Sequence, residues 1–139
     1  MDFTYKLSIL IPTLKSRFKM FNHLMQILLK QKTEEVELIY CMDEGEKKIG
    51  DKRNWLLEQS KGKYVCFIDD DDEVSSDYIN KLLEAIKTNP DCCSLTGVIT
   101  WNGGNPEVFE HSIKYSAYRT NINNEPIKYE RYPNHLNVI

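Results

Sequence analysis

The chain has 139 residues, of which 41% are hydrophobic and 28% charged, and it carries a net charge of −3. That length suits a single domain over residues 1–139 with a core of its own. The negative balance gives no electrostatic reason to expect a nucleic-acid partner, and no apolar run reaches the length of a membrane span.

The amino terminus, M-D-F-T-Y-K, lacks the basic start and apolar stretch of a secretory signal, so a cytoplasmic location is expected. Cysteine usage agrees. Cys41 and Cys66 lie inside apolar runs and Cys92 and Cys93 are adjacent, which is neither a disulfide framework nor a zinc-ligand spacing. Leu7 to Ile11 is a short β-forming apolar run that Pro12 and Thr13 are expected to stop, and it reads as a buried parallel strand. Ser16 is then placed to cap a helix. Phe21, Leu24, Met25 and Leu28 recur at the spacing of one helix face, with an end expected near Lys32. His23, a lone histidine in that helix, reads as a surface or packing residue.

Val36 to Met42 is the second strand, and it delivers Asp43 and Glu44 at its carboxyl end. A basic loop follows. From Asp51 a short helix carries Trp55, Leu56 and Leu57 until Gly62 stops it. Lys47, Lys48, Lys52 and Arg53 gather near its amino end, where cationic side chains and free backbone N–H groups can bind a diphosphate. Tyr64 to Ile68 is the third strand and runs into Asp69, Asp70, Asp71, Asp72 and Glu73. Such adjacent carboxylates repel one another unless a cation sits among them. With the strand continued as extended chain, Asp69 and Asp71 share one side and Asp70 and Asp72 the other. A D-x-D pair of hard oxygen ligands at a strand end suits Mg²⁺ or Mn²⁺.

Ser75, Ser76 and Asp77 offer caps for a further helix with Ile79, Leu82, Leu83 and Ile86 on its apolar face, ended by Asn89 and Pro90. The alternation β-α-β-α-β-α predicts an α/β fold, a Rossmann-like, mostly parallel sheet with helices on both faces. Beyond Pro90 the pattern changes. Cys93 to Trp101 reads as a strand, N-G-G-N as a turn, and Glu107 to Tyr115 as its antiparallel partner in a hairpin. The remainder reads as loops with one or two short strands. Tyr115, Tyr118, Tyr129 and Tyr132 there suit edge packing or a stacking surface.

With these parts in view, the chain resembles the amino-terminal, nucleotide-sugar-binding half of a family 2 glycosyltransferase of the GT-A fold. The residues that carry the likeness are L-S-I-L-I-P-T, the strand closing on Asp43, the run G-D-K-R-N-W-L-L-E-Q-S-K-G-K-Y, and F-I-D-D-D-D-E. It covers Leu7 to Thr100. The resemblance implies that Thr13 and Asp43 line the pocket for the nucleotide base and that Asp69 or Asp70 faces the ribose. It implies that Asp71, with Asp69 as the other candidate, holds the divalent metal, Mn²⁺ or Mg²⁺. Lys48 and Arg53 match cations for the diphosphate or for the acidic strand end.

The implied reaction is inverting transfer of a sugar from a nucleotide-diphosphate donor to a carbohydrate or other hydroxyl acceptor. The family's base is a carboxylate well downstream of D-x-D, and Glu107, Glu110, Glu125 and Glu130 do not sit in such a motif. His135 is the tail's candidate for a base or a metal ligand. The chain therefore reads as a donor-binding part, short or truncated on the acceptor side. The alternatives are a non-catalytic nucleotide-binding module or inactive subunit of such an enzyme, and a phospho-acceptor signalling domain. An incomplete antiparallel region would leave an edge in need of a partner, which suggests a homo-oligomer.

Overall fold

The computed structural model describes residues 3–93 and, beyond them, the strand segments 96–99, 107–111, 119–120 and 129–131. They fall into two compact units, one ending its continuous stretch at Cys93 and the other within residues 94–137. The first unit runs β1 (Tyr5–Leu14), a 3-10 turn (Lys15–Arg17), α1 (Phe18–Leu29), β2 (Val36–Asp43), α2 (Ile49–Gln59), β3 (Gly62–Phe67) and α3 (Tyr78–Ile86). Its sheet has the order β2-β1-β3, with both pairings parallel.

Alternation along the strands sorts the helices. Leu10, Cys41 and Leu56 form one buried cluster, with Ile39, Val65 and Phe67 against it, so α2 covers that face. On the opposite face the Phe21 ring of α1 meets Tyr40 with centroids 5.1 Å apart, and Tyr78 of α3 lies 3.2 Å from the Cys66 sulfur. Helices thus cover both faces of a parallel sheet, as the alternating pattern predicts. Leu7, Ile9, Leu10 and Ile11 of the central strand are fully buried.

Several boundaries differ from the sequence expectation, each for a physical reason. Strand β1 does not stop at Ile11 but runs through Pro12 and Thr13 to Leu14, paired with β2 as far as Leu14–Asp43. The Leu7 N–H goes to Glu35 on the β2 side, whereas the Leu10 carbonyl accepts from Ile68 on the β3 side. Pro12, two residues past Leu10, therefore turns its missing N–H toward β3, whose ladder has already ended at Leu10–Phe67. Ser16 caps nothing: it lies in the 3-10 turn, and the N-cap of α1 is Arg17, without a side-chain bond. Helix α1 ends at Leu29 rather than near Lys32. Helix α2 opens at Ile49 and closes on Ser60, whose hydroxyl donates to the Leu57 carbonyl. Gly62 is the first residue of β3, not a helix stop. Asp77 occupies the N-cap of α3 without a capping bond, and Asn89 takes the left-handed conformation, φ 56°, where that helix is left behind.

In the second unit β4 (Thr96–Ile99) pairs antiparallel with β5 (Glu107–His111), which pairs parallel with β7 (Tyr129–Arg131), and β6 (Arg119–Thr120) joins β7 antiparallel. The N-G-G-N turn, His135, Tyr115, Tyr118 and Tyr132 lie outside the described residues. Among the described residues no helix is long and apolar enough to cross a membrane.

Candidate functional site

The sheet order reverses at β1, with β2 on one side and β3 on the other. Open parallel sheets bind ligands at the carboxyl ends of their strands at such a point. Here the opening has a definite cause. The β1–β2 ladder continues to Leu14–Asp43, while β3 leaves β1 after Leu10–Phe67, so the two ladders part above Leu10.

At the β2 side of this opening Asp43 is enclosed by its own turn. Gly45, at φ +105°, lets the chain double back, and the N–H groups of Gly45 and Lys47 donate to the two carboxylate oxygens at 3.3 and 2.9 Å. Lys52 of α2 donates its ammonium to Asp43 Oδ1 at 2.8 Å and to the Thr13 carbonyl oxygen. Its side chain is 4% exposed, so these acceptors take the place of water around a buried charge. The Lys52 hydrogen bond first, then the Lys47 N–H, hold the Asp43 carboxyl below the usual aspartate range, against the opposing effect of desolvation.

At the β3 side the chain does not continue extended past Ile68. It turns: the Asp72 N–H donates to the Asp69 carbonyl at 3.0 Å and the Asp69 N–H to Asp72 Oδ2 at 3.2 Å. The expected sharing of faces is therefore replaced, and Asp72 joins Asp69 and Asp71, each offering one carboxylate oxygen within 4.8 Å of the others. Asp70 points the other way. It is 3% exposed, accepts the Thr13 hydroxyl on Oδ2 at 2.8 Å, and meets Arg17 Nη2 with Oδ1 at 3.0 Å. Arg17 Nη2 also lies 3.3 Å from Asp71 Oδ2. Arg53 Nη2 lies 3.3 Å from Asp69 Oδ1, with its guanidinium 5.8 Å from the centre of the Phe67 ring. The Arg53 Nε is buried and makes no hydrogen bond among the described residues.

Between these two ends lies a cleft of ≈ 370 Å³, within the size range of small-molecule sites. Its lining brings together Thr13, Arg17, Lys47, Lys52, Arg53, Asp69, Asp70 and Asp71. The donor set of Asp69, Asp71 and Asp72 is three hard oxygens, which fits a hard divalent cation. The orphaned Arg53 N–H fits an acceptor oxygen brought by a ligand.

Of the residues singled out from the sequence, Thr13, Arg53, Asp69, Asp70 and Asp71 line one cleft. Asp43 stands beneath it, one hydrogen bond away through Lys52. Lys48 does not join them. It is the exposed N-cap of α2, outside the cleft lining, while Lys47 and Lys52 are part of it. Arg17 and Asp72 were not foreseen as site residues. The signal for Arg17 was its place in the turn directly after the first strand, at the same sheet edge; for Asp72 it was the chance that four adjacent acids would turn rather than stay extended. His23 pairs with Glu73 at 3.2 Å on the surface, as a solvated residue would.

The family model described as Glycosyl transferase family 2 matches residues 22–138. Among solved structures, the crystal structure of S. aureus TarS 1-349 is similar, with a TM-score of 0.56 at 20% identity, covering 84% of this chain and 41% of that one. At that identity the likeness concerns the fold, which is of the GT-A type. The chain spans less than half the length of the structure it matches. No curated protein matches it. With the family model matching residues 22–138, well over half of the chain, the chain belongs to glycosyl transferase family 2.

Proposed function

We propose that this chain binds a nucleoside-diphosphate sugar in the cleft at the carboxyl ends of β1, β2 and β3, together with Mn²⁺ or Mg²⁺, and takes part in inverting transfer of the sugar to an acceptor hydroxyl. One observation carries the reading: Asp69 and Asp71, two of three carboxylates that lie within 4.8 Å of one another, share one cleft with the cations Arg17, Lys47, Lys52 and Arg53. A site that must take both a divalent cation and a diphosphate needs ligands of both signs at close quarters.

In this reading Asp71 and Asp69, joined by Asp72, hold the metal. When bound, the metal would act as a Lewis acid that neutralises the departing diphosphate. Arg53, anchored on Asp69 and with a spare buried N–H, reaches a diphosphate oxygen. Thr13 and Asp43 form the base end, where Lys52 ties the two strand ends together. Asp69 and Asp70 are the two ribose candidates, Asp70 fixed by Thr13 and Arg17 and Asp69 beside Arg53.

The test is a calorimetric titration of UDP-, GDP- and ADP-sugars with and without Mn²⁺, followed by an assay for sugar release. Metal-dependent binding of one donor is expected. Binding without release or transfer would assign the cleft to recognition alone, and indifference of every donor to Mn²⁺ would overturn the metal's part in the reading.

A further inference from the structure

Arg17 stands in the one position that both sides of the proposed chemistry require. Its Nη2 lies 3.0 Å from the buried Asp70 and 3.3 Å from Asp71, which is 56% exposed and belongs to the acidic group that fits a metal. The two contacts differ in kind. The Asp70 carboxylate is 3% exposed and fixed by the Thr13 hydroxyl, so the guanidinium gains a rigid, desolvated anchor there. The Asp71 contact faces solvent, where ion pairs are weak and readily exchanged. A divalent cation drawn to Asp69, Asp71 and Asp72 competes with the guanidinium for Asp71.

Resting on the donor-binding reading above, we propose that Arg17 is a diphosphate-binding residue that is held on Asp71 until a divalent cation takes that carboxylate. The guanidinium stays on Asp70 through Nη2 and turns the N–H released from Asp71 to the diphosphate. A planar fork with several donors can hold a carboxylate on one edge and a phosphate on another, which a lysine cannot do. The turn that carries it, Lys15–Arg17, leaves β1 directly beside the cleft, so no backbone movement is needed to bring it there.

The consequence is a pair of opposite effects from one substitution. In Arg17→Gln, Asp71 is no longer shared and a repelling cation is gone, so Mn²⁺ alone should bind about threefold tighter or more. At saturating Mn²⁺, the tightest binder among UDP, GDP, ADP and CDP should bind roughly tenfold more weakly, because one charge-assisted contact is lost. Arg17→Lys keeps the charge on a shorter side chain that, anchored on the buried Asp70, competes less for Asp71, so its Mn²⁺ affinity should also rise and its diphosphate affinity should fall less; it carries the test if Arg17→Gln does not fold. Calorimetry and Mn²⁺ paramagnetic resonance read both quantities without turnover. An unchanged or weakened Mn²⁺ affinity in both variants, with Asp71→Ala abolishing it, would overturn the Arg17 proposal and leave the metal site standing. Failure of the wild type to bind Mn²⁺ or any of the diphosphates would instead overturn the donor-binding reading, and this one with it.

Discussion

Lys52 lines the cleft with its ammonium on the Asp43 carboxylate and the Thr13 carbonyl, and this arrangement ties the acid response of the fold to one pair. Asp43 has its carboxyl held below the usual range, chiefly by Lys52. A depressed folded-state value means that the group stabilises the fold above the unfolded-state range, and that the contribution is lost as pH falls through the folded value. In Lys52→Met the carboxylate keeps the N–H groups of Lys47 and Gly45 but loses its strongest partner, so it protonates at higher pH. Urea midpoints followed from neutral pH into the acid range should fall more steeply for the wild type than for the variant, which starts lower. Parallel curves with a constant offset would show that the pair does not set the acid response. The burial of Lys52 was not legible from the sequence. Trp55, Leu56 and Leu57 gave no clear helix face, and only the packing reveals that Leu56 is the buried one, which puts Lys52, four residues earlier, on the same side.

At the scale of elements, the sheet is held in register by a bridge across all three strands that centres on the buried Ser8 hydroxyl. Ser8 of β1 donates to Glu37 of β2 at 2.6 Å and accepts the Gly62 N–H of β3 at 2.8 Å. Gly62 has no alternative there: a Cβ would stand 2.5 Å from Ser8 Oγ, 2.6 Å from the Ser8 nitrogen and 2.8 Å from the Leu7 carbonyl carbon. Since two of those atoms are backbone of the central strand, Gly62→Ala must push β3 away. Overpacking of this kind costs ~1–3 kcal/mol, occasionally more. Chemical denaturation should register it as a lowered midpoint with an unchanged slope, whereas an unaltered midpoint would mean that β3 tolerates the shift without loss. The order of strands and helices, and the delivery of Asp43 and the acidic run to one sheet edge, could be read from apolar runs and their carboxyl-terminal acids. What could not be read were the ends. Pro12 looks like a stop until its missing N–H is seen to face the side where the ladder is already finished, and Gly62 looks like a helix cap until the approach of β1 is known.

For the molecule as a whole, the family match begins at residue 22, after β1, Thr13 and Arg17, while the fold likeness covers 84% of the chain. The cleft needs both parts, since Thr13 and Arg17 come from the segment before the match and Arg53 and the acids from within it. Ligand binding should therefore couple the carboxyl ends of β1, β2 and β3 and stabilise the fold they share. By mass action, a ligand that binds only the folded state at a hundred times its dissociation constant adds about 2.7 kcal/mol, enough to raise the melting temperature by several degrees. The rise should require a nucleoside diphosphate and Mn²⁺ together, because the diphosphate alone meets three carboxylates within 4.8 Å of one another, whose charge the pairs Asp71–Arg17 and Asp69–Arg53 offset in part. Asp71→Ala should melt near the wild type without ligand, as it removes one charge from a repelling group along with an exposed ion pair. With ligand, its shift should vanish and its affinity fall about tenfold or more. Differential scanning calorimetry of both proteins, with each component added singly and then together, reads all of these at once. A shift of equal size in Asp71→Ala, or one indifferent to Mn²⁺, would detach nucleotide binding from the acidic turn.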